Sequence, residues 1–133
     1  MRNNLLSWQW HGYADNHVVR ANLALHLVTV PLFDAGLIAT VSWLVAAIAA
    51  AASGHAHPTL GWLVAGIASM LVALAAQGRG HRGEPVAPVP FTGPGDFVSR
   101  FFVEQLVTFP RFVLSGGWLA AWRGRAAGSP PRT

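Results

Sequence analysis

YADNHVVRANLALHLVTVP, residues 13–31, sets three polar side chains, His17, Asn22 and His26, at the mouth of a long apolar run. An imidazole carried into hydrocarbon is costly unless a partner or a metal satisfies it, so an ionisable group in such a place marks a functional site. The run continues over residues 23–52, longer than the roughly 20 helical residues that cross a hydrocarbon core. Pro31 falls in its early turns and removes a backbone donor, which predicts a kink between Val28 and Pro31.

Working outward, a short turn at Ser53-Gly54-His55-Ala56-His57-Pro58 separates this run from a second one over residues 59–77. Two spans joined by so tight a turn form a transmembrane hairpin. Small residues recur at helical spacing in both, Ala35, Ala39, Ser42 and Ala46 in the first and Gly61, Ala65, Ser69 and Ala73 in the second. Such ridges let helix backbones approach closely in lipid.

The composition agrees with a membrane protein: 53% of the 133 residues are hydrophobic and only 11% are charged. With no cysteine, a metal must be held by His, Asp, Glu or backbone. The nine basic residues are all arginines, scattered singly rather than striped along a helix, so they read as membrane-flank charges and not as a nucleic-acid surface. Residues 1–13 hold no apolar core of signal-peptide length, and Trp8 and Trp10 suit the headgroup level.

Residues 83–95, GEPVAPVPFTGPG, contain four prolines and predict an extended loop. An apolar pattern with internal charges resumes over 97–122, where Arg100, Glu104 and Arg111 share an arc of about 60° on a helical wheel. An amphipathic interfacial helix and a tilted span broken at Pro110 both fit it. The tail, 123–133, is basic, rich in Pro and Gly and expected to be disordered. The expectation is one all-α integral membrane unit over 1–133, a transmembrane hairpin plus a third amphipathic or tilted C-terminal helix.

A hairpin returns its second helix to the side where its first began, so His17 and His26 at the mouth and His81 and Glu84 at the exit share one membrane face. Three imidazoles and one carboxylate suit Fe(II), Mn(II) or Zn(II), and with open positions they match oxygen-activating non-haem iron. His17 and His26, nine residues apart, lie on opposite faces of a straight helix and can share a metal only if the helix breaks between them. Asn22, a good N-cap, marks such a break, or else, four residues from His26 on the same face, orients the site. Pro85 pushes Glu84 out of helical geometry. His11, His55 and His57 read as ordinary interfacial histidines.

These residues resemble a family, the metal-dependent 2-hydroxy fatty acid dioxygenases of the fungal endoplasmic reticulum and their bacterial relatives. The first motif block of that family is similar to Tyr13, His17, Asn22, His26 and Pro31 here. The other block is similar to Gly80, His81, Glu84 and Pro85, followed by Glu104-Gln105-Leu106-Val107-Thr108-Phe109-Pro110. Together the blocks cover about half the chain. The resemblance implies an Fe(II) enzyme that uses O₂ to convert a 2-hydroxy fatty acid to a product one carbon shorter, with His17, His26, His81 and Glu84 at the metal and Tyr13 and Asn22 supporting them. The chain is shorter than that family's pattern, and its His-to-Glu spacing is one residue tighter.

The expected function is thus an iron-dependent dioxygenase, an oxidoreductase of lipid metabolism acting in fatty acid α-oxidation. Its partners would be a lipid-like hydroxy acid, O₂ and the membrane. Arg20, Arg82 or Arg100 would grip the substrate carboxylate, because a guanidinium offers a matching two-donor fork. The competing expectation is a non-enzymatic membrane scaffold or transporter subunit with structural or metal-binding histidines; metal content separates the two. Because the turn at residues 53–58 carries no arginine, the positive-inside rule places the N-terminus and the site in the cytoplasm.

Overall fold

The computed structural model describes residues 4–124, and the described residues are helical with no strand. Helix α1 (Leu5–Tyr13) passes through a single 3₁₀ turn, Ala14–Asn16, into an extended break at residues 17–19. Then follow α2 (Arg20–Ser53), α3 (Leu60–His81), α4 (Pro94–Val103), a π-helical turn (Glu104–Thr108), α5 (Phe109–Leu114) and α6 (Gly117–Trp122). The predicted tail lies outside the described residues from Arg125 onward.

Helices α2 and α3 are both long and apolar enough to cross a membrane. Their most apolar windows are only 11% and 17% buried inside the chain. A core helix of a water-soluble protein would hide such a surface, whereas here Val28, Ile38, Val45, Ile48, Trp62 and Val64 stand outward. Pro31 is accommodated inside α2, which continues as helix on both sides of it. Gly54, at φ 69°, ends α2 in the left-handed conformation that glycine adopts freely. The Trp43 indole N–H donates to the Thr59 carbonyl at 3.0 Å across the turn.

The two long helices approach closely at Gly36 and Gly66, one residue off the predicted ridges. A Cβ on Gly36 would stand 2.6 Å from the Gly66 carbonyl oxygen, and one on Gly66 would stand 2.8 Å from the Gly36 oxygen. Ala73 is fully buried in this pair, while Ala35, Ala39, Ser42 and Ala46 line an apolar groove beside Trp43 and Trp62.

The segment over 97–122 is not one regular helix: α4, the π turn and α5 follow one another without a gap to Leu114, and α6 begins after a turn at residues 115–116. Pro110 has no N–H for the carbonyl four residues back and its ring would strike that carbonyl, so the turn before it widens to i→i+5 bonds, with the Phe109 N–H on the Glu104 oxygen. Widening changes the register: Arg100 is buried and Glu104 half-buried facing inward, whereas Arg111 emerges and lies 4.1 Å over the Trp10 ring. The predicted common arc is therefore split. Two aromatic clusters flank the resulting space, Tyr13, Leu23, Val30, Phe109 and Phe112 on one side and Phe33, Ala73 and Phe101 on the other.

Candidate metal centre

Each histidine of the candidate site reaches it by its own local rule. The 3₁₀ turn and the extended break before α2 free His17 from the helical register, and its Nδ1 lies 2.8 Å from the Tyr13 carbonyl. His26, one turn and a half into α2, has its Nδ1 3.0 Å from the Asn22 carbonyl. Since a carbonyl can only accept, Nδ1 carries the proton in both rings and Nε2 presents a lone pair. His81 is the last residue of α3. The three ring centroids stand 4.8, 4.8 and 4.9 Å apart with mutually steep planes, like three faces meeting at a corner.

At that corner sits Glu104. Its Oε1 lies 3.6 Å from His17 Nε2, 3.7 Å from His26 Nε2 and 3.9 Å from His81 Nε2. Those separations are too long for hydrogen bonds. They are near the roughly 3.4 Å between neighbouring ligands of a tetrahedral ion with bonds of about 2.1 Å. The Nε2 atoms of His17 and His26 are buried with no hydrogen-bond partner, an arrangement that costs free energy unless something fills the corner. His17, His26, His81 and Glu104 offer donor atoms all within 4.8 Å of one another, and this group could hold a metal ion. A set of three imidazoles and one carboxylate suits a divalent first-row cation.

The electrostatics keep the site ready for a cation. Burial first of all, with His26 and His81 adding to it against the opposing pull of Glu104, lowers the His17 pKa to about 3, so the ring is neutral at physiological pH. Burial opposes charge on Glu104, but positive charge on the surrounding rings would outweigh it and hold the carboxyl below the usual carboxylate range. Tyr13 stacks on His17 at 4.0 Å and donates its hydroxyl to Glu104 Oε1 at 3.1 Å. Burial, and then the charge of Glu104, push the Tyr13 phenol well above its ordinary value and keep it a donor.

Glu84 is not in this group, contrary to the expectation from sequence. Three successive turn hydrogen bonds, from the N–H groups of Arg82, Gly83 and Glu84, carry the chain past α3, and Pro85 then directs it away. The Glu84 carboxylate accepts the N–H of Val18 at 3.1 Å, that of Val19 at 3.2 Å and the Asn22 side-chain amide at 2.7 Å. It thus caps α2 from the turn that follows α3, at the end where the helix dipole favours an anion. Asn22 is not the N-cap; Val19 is, and Asn22 lies inside the first turn, its carbonyl aligning His26 and its amide held by Glu84.

Glu104 is the member of this group that the sequence reading missed, although the signal that singled out the histidines was also present there: an ionisable residue bracketed by Phe101, Phe102, Val103, Leu106 and Val107. His11, His55 and His57 lie outside the group and are exposed. Arg20 donates its Nε to the Trp122 carbonyl at 2.9 Å and is exposed, so it does not line the site. Arg82 and Arg100 both line a cavity of about 740 Å³ whose inner wall includes His17, His81 and Glu104. The remaining lining is mostly apolar, with Leu74, Val89, Phe91, Phe97 and Phe101 among it. No protein-family model, no curated protein and no solved structure matches this chain.

Proposed function

We propose that this chain is a membrane-embedded, iron(II)-dependent dioxygenase that converts a long-chain 2-hydroxy fatty acid, or a similar lipid-like hydroxy acid, to the acid one carbon shorter. The observation that carries this reading is the corner of three Nε2 atoms around Glu104 Oε1 on the wall of a large apolar cavity. The motif resemblance points to the same reaction. One O₂ per hydroxy acid, yielding the shorter acid, carbon dioxide and water, balances atoms and electrons with no external reductant.

Iron(II) held by His17, His26, His81 and Glu104 would supply the redox chemistry that brings O₂ to reaction, which no side chain of this cysteine-free protein provides. The protein's own part is to bind and orient. The Tyr13 and Asn22 carbonyls lock two imidazoles in the tautomer that presents Nε2, and the Tyr13 hydroxyl holds Glu104. The aromatic walls exclude water and align an alkyl chain with its polar head at the corner. Purified protein reloaded anaerobically with Fe(II) is expected to consume O₂ with 2-hydroxyhexadecanoate and to release the 15-carbon acid. His26→Ala should abolish turnover, His57→Ala should preserve it, and Zn(II) should not replace iron because it has no redox chemistry. Absence of O₂ uptake across a series of chain lengths would remove the dioxygenase reading.

The same proposal places α2 and α3 across a membrane with the site on the cytoplasmic side. The turn between them carries no arginine, whereas Arg20, Arg79, Arg82 and Arg100 belong to the opposite end. With single cysteines introduced at Ser53 and at Ser115, a membrane-impermeant thiol reagent applied to intact cells should label only the Ser53→Cys protein. The reverse pattern would invert the topology.

A further inference from the structure

The cavity contains a second polar feature, set apart from the metal ligands. Arg100 is 8% exposed, on α4 four residues before Glu104, and its guanidinium lies between two aromatic rings, 4.9 Å from the Trp8 centroid and 4.5 Å from that of Phe91. Its Nη1 donates to the Pro90 carbonyl at 3.3 Å and to Asp96 Oδ2 at 3.4 Å. Its Nε is buried with no hydrogen-bond partner. Because Nη1 makes both protein contacts, the fork formed by Nε and Nη2 remains for a ligand, and this is the edge that matches a carboxylate with two parallel hydrogen bonds.

We infer that Arg100, clamped by Trp8 and Phe91, is the carboxylate receptor of this cavity and binds the acid head of an amphiphile whether or not a metal is present. The inference deepens the proposed function by choosing among the three arginines that sequence singled out. Arg20 is bonded to Trp122 away from the cavity, and Arg82 lines it but is exposed, so water screens its charge. Arg100 is instead shielded by two rings and its unfilled donor is costly to leave buried, so a carboxylate there gains a strong charge-assisted pair. Arg100 and Glu104, four residues apart along the chain, line the same cavity, so a head group held by the guanidinium shares that cavity with the His/Glu corner.

The test uses the full chain, stripped of metal with a chelator and held in detergent micelles, with binding followed by isothermal titration against empty micelles. The probes are 2-hydroxyhexadecanoate, its methyl ester and hexadecyl phosphate. The wild-type protein should bind the acid at least about tenfold more tightly than the ester, the scale of one hydrogen bond to a charged group. Arg100→Gln should weaken acid binding on the order of 10- to 100-fold and erase the acid-over-ester preference, Arg100→Lys should recover part of it, and Arg79→Gln should leave it intact. Equal wild-type affinity for acid and ester would overturn the inference without recourse to any variant. So would an Arg100→Gln protein, helical by circular dichroism, that kept the preference. Tighter binding of hexadecyl phosphate than of the acid would reassign the receptor to a phosphate head and overturn the carboxylate assignment. Since every arm is metal-free, loss of the dioxygenase reading and loss of this one are separately visible.

Discussion

Glu104→Gln should lower metal affinity by more than about 100-fold, whereas Glu84→Gln should lower it by no more than about tenfold. The first removes a ligand charge from the point where His17, His26 and His81 converge at 3.6–3.9 Å. Losses of 10- to 100-fold are typical when only a residue supporting a ligand is changed, so losing the ligand itself must exceed that range. The Glu84 change leaves all four donors in place and weakens the cap on α2, acting on His17 and His26 only through Val18 and Asn22. Both proteins would be loaded with Fe(II) or Zn(II) and titrated with a chelator of known affinity, with helicity checked in parallel. A larger loss in Glu84→Gln than in Glu104→Gln would return Glu84 to the ligand set and displace Glu104.

The other large effect concerns the helix pair that carries the site. Gly36→Leu must drive a side chain into the Gly66 carbonyl and against Ser69 and Met70, all of them on the opposite helix. Overpacking of a tight contact costs about 1–3 kcal/mol, and an obstructing backbone atom cannot swing aside, so the cost should reach or exceed the upper end. Gly78→Ala, on the same pair of helices, is the control of opposite sign. A Cβ there meets nothing within 4 Å, and replacing glycine by alanine inside a helix gains roughly 0.5–1 kcal/mol. Unfolding of both variants in mixed micelles with increasing SDS, followed by circular dichroism, should move the midpoint down for Gly36→Leu and up for Gly78→Ala. Metal affinity should fall with Gly36→Leu, because α3 brings His81 to the α2 residue His26. Unchanged stability in Gly36→Leu would mean that the helices do not meet at this point.

By itself the sequence determined what depends on nearest neighbours along the chain. Two apolar stretches of sufficient length make the α2 and α3 helices, and the Gly54–Pro58 region turns one into the other. A turn that returns α3 toward the start of α2 brings His81 to His17 and His26, which is why the grouping of three histidines was legible in the residues alone. The break that His17 needs was also legible, though displaced: it falls at residues 17–19 rather than at Asn22. The fourth member of the group was not, because choosing between Glu84 and Glu104 depends on two effects with no local signature of their own partner. Pro85 turns Glu84 toward three donors on the start of α2, and the π turn before Pro110 rotates the register between Glu104 and Arg111 so that an apparent common face is split. The same holds for the arginines, identical in sequence terms and separated only when Trp8, remote along the chain, and Phe91, from the Pro-rich loop, close on Arg100. Helix length and period are written residue by residue, whereas which carboxylate and which guanidinium lose their water is decided by what packs against them.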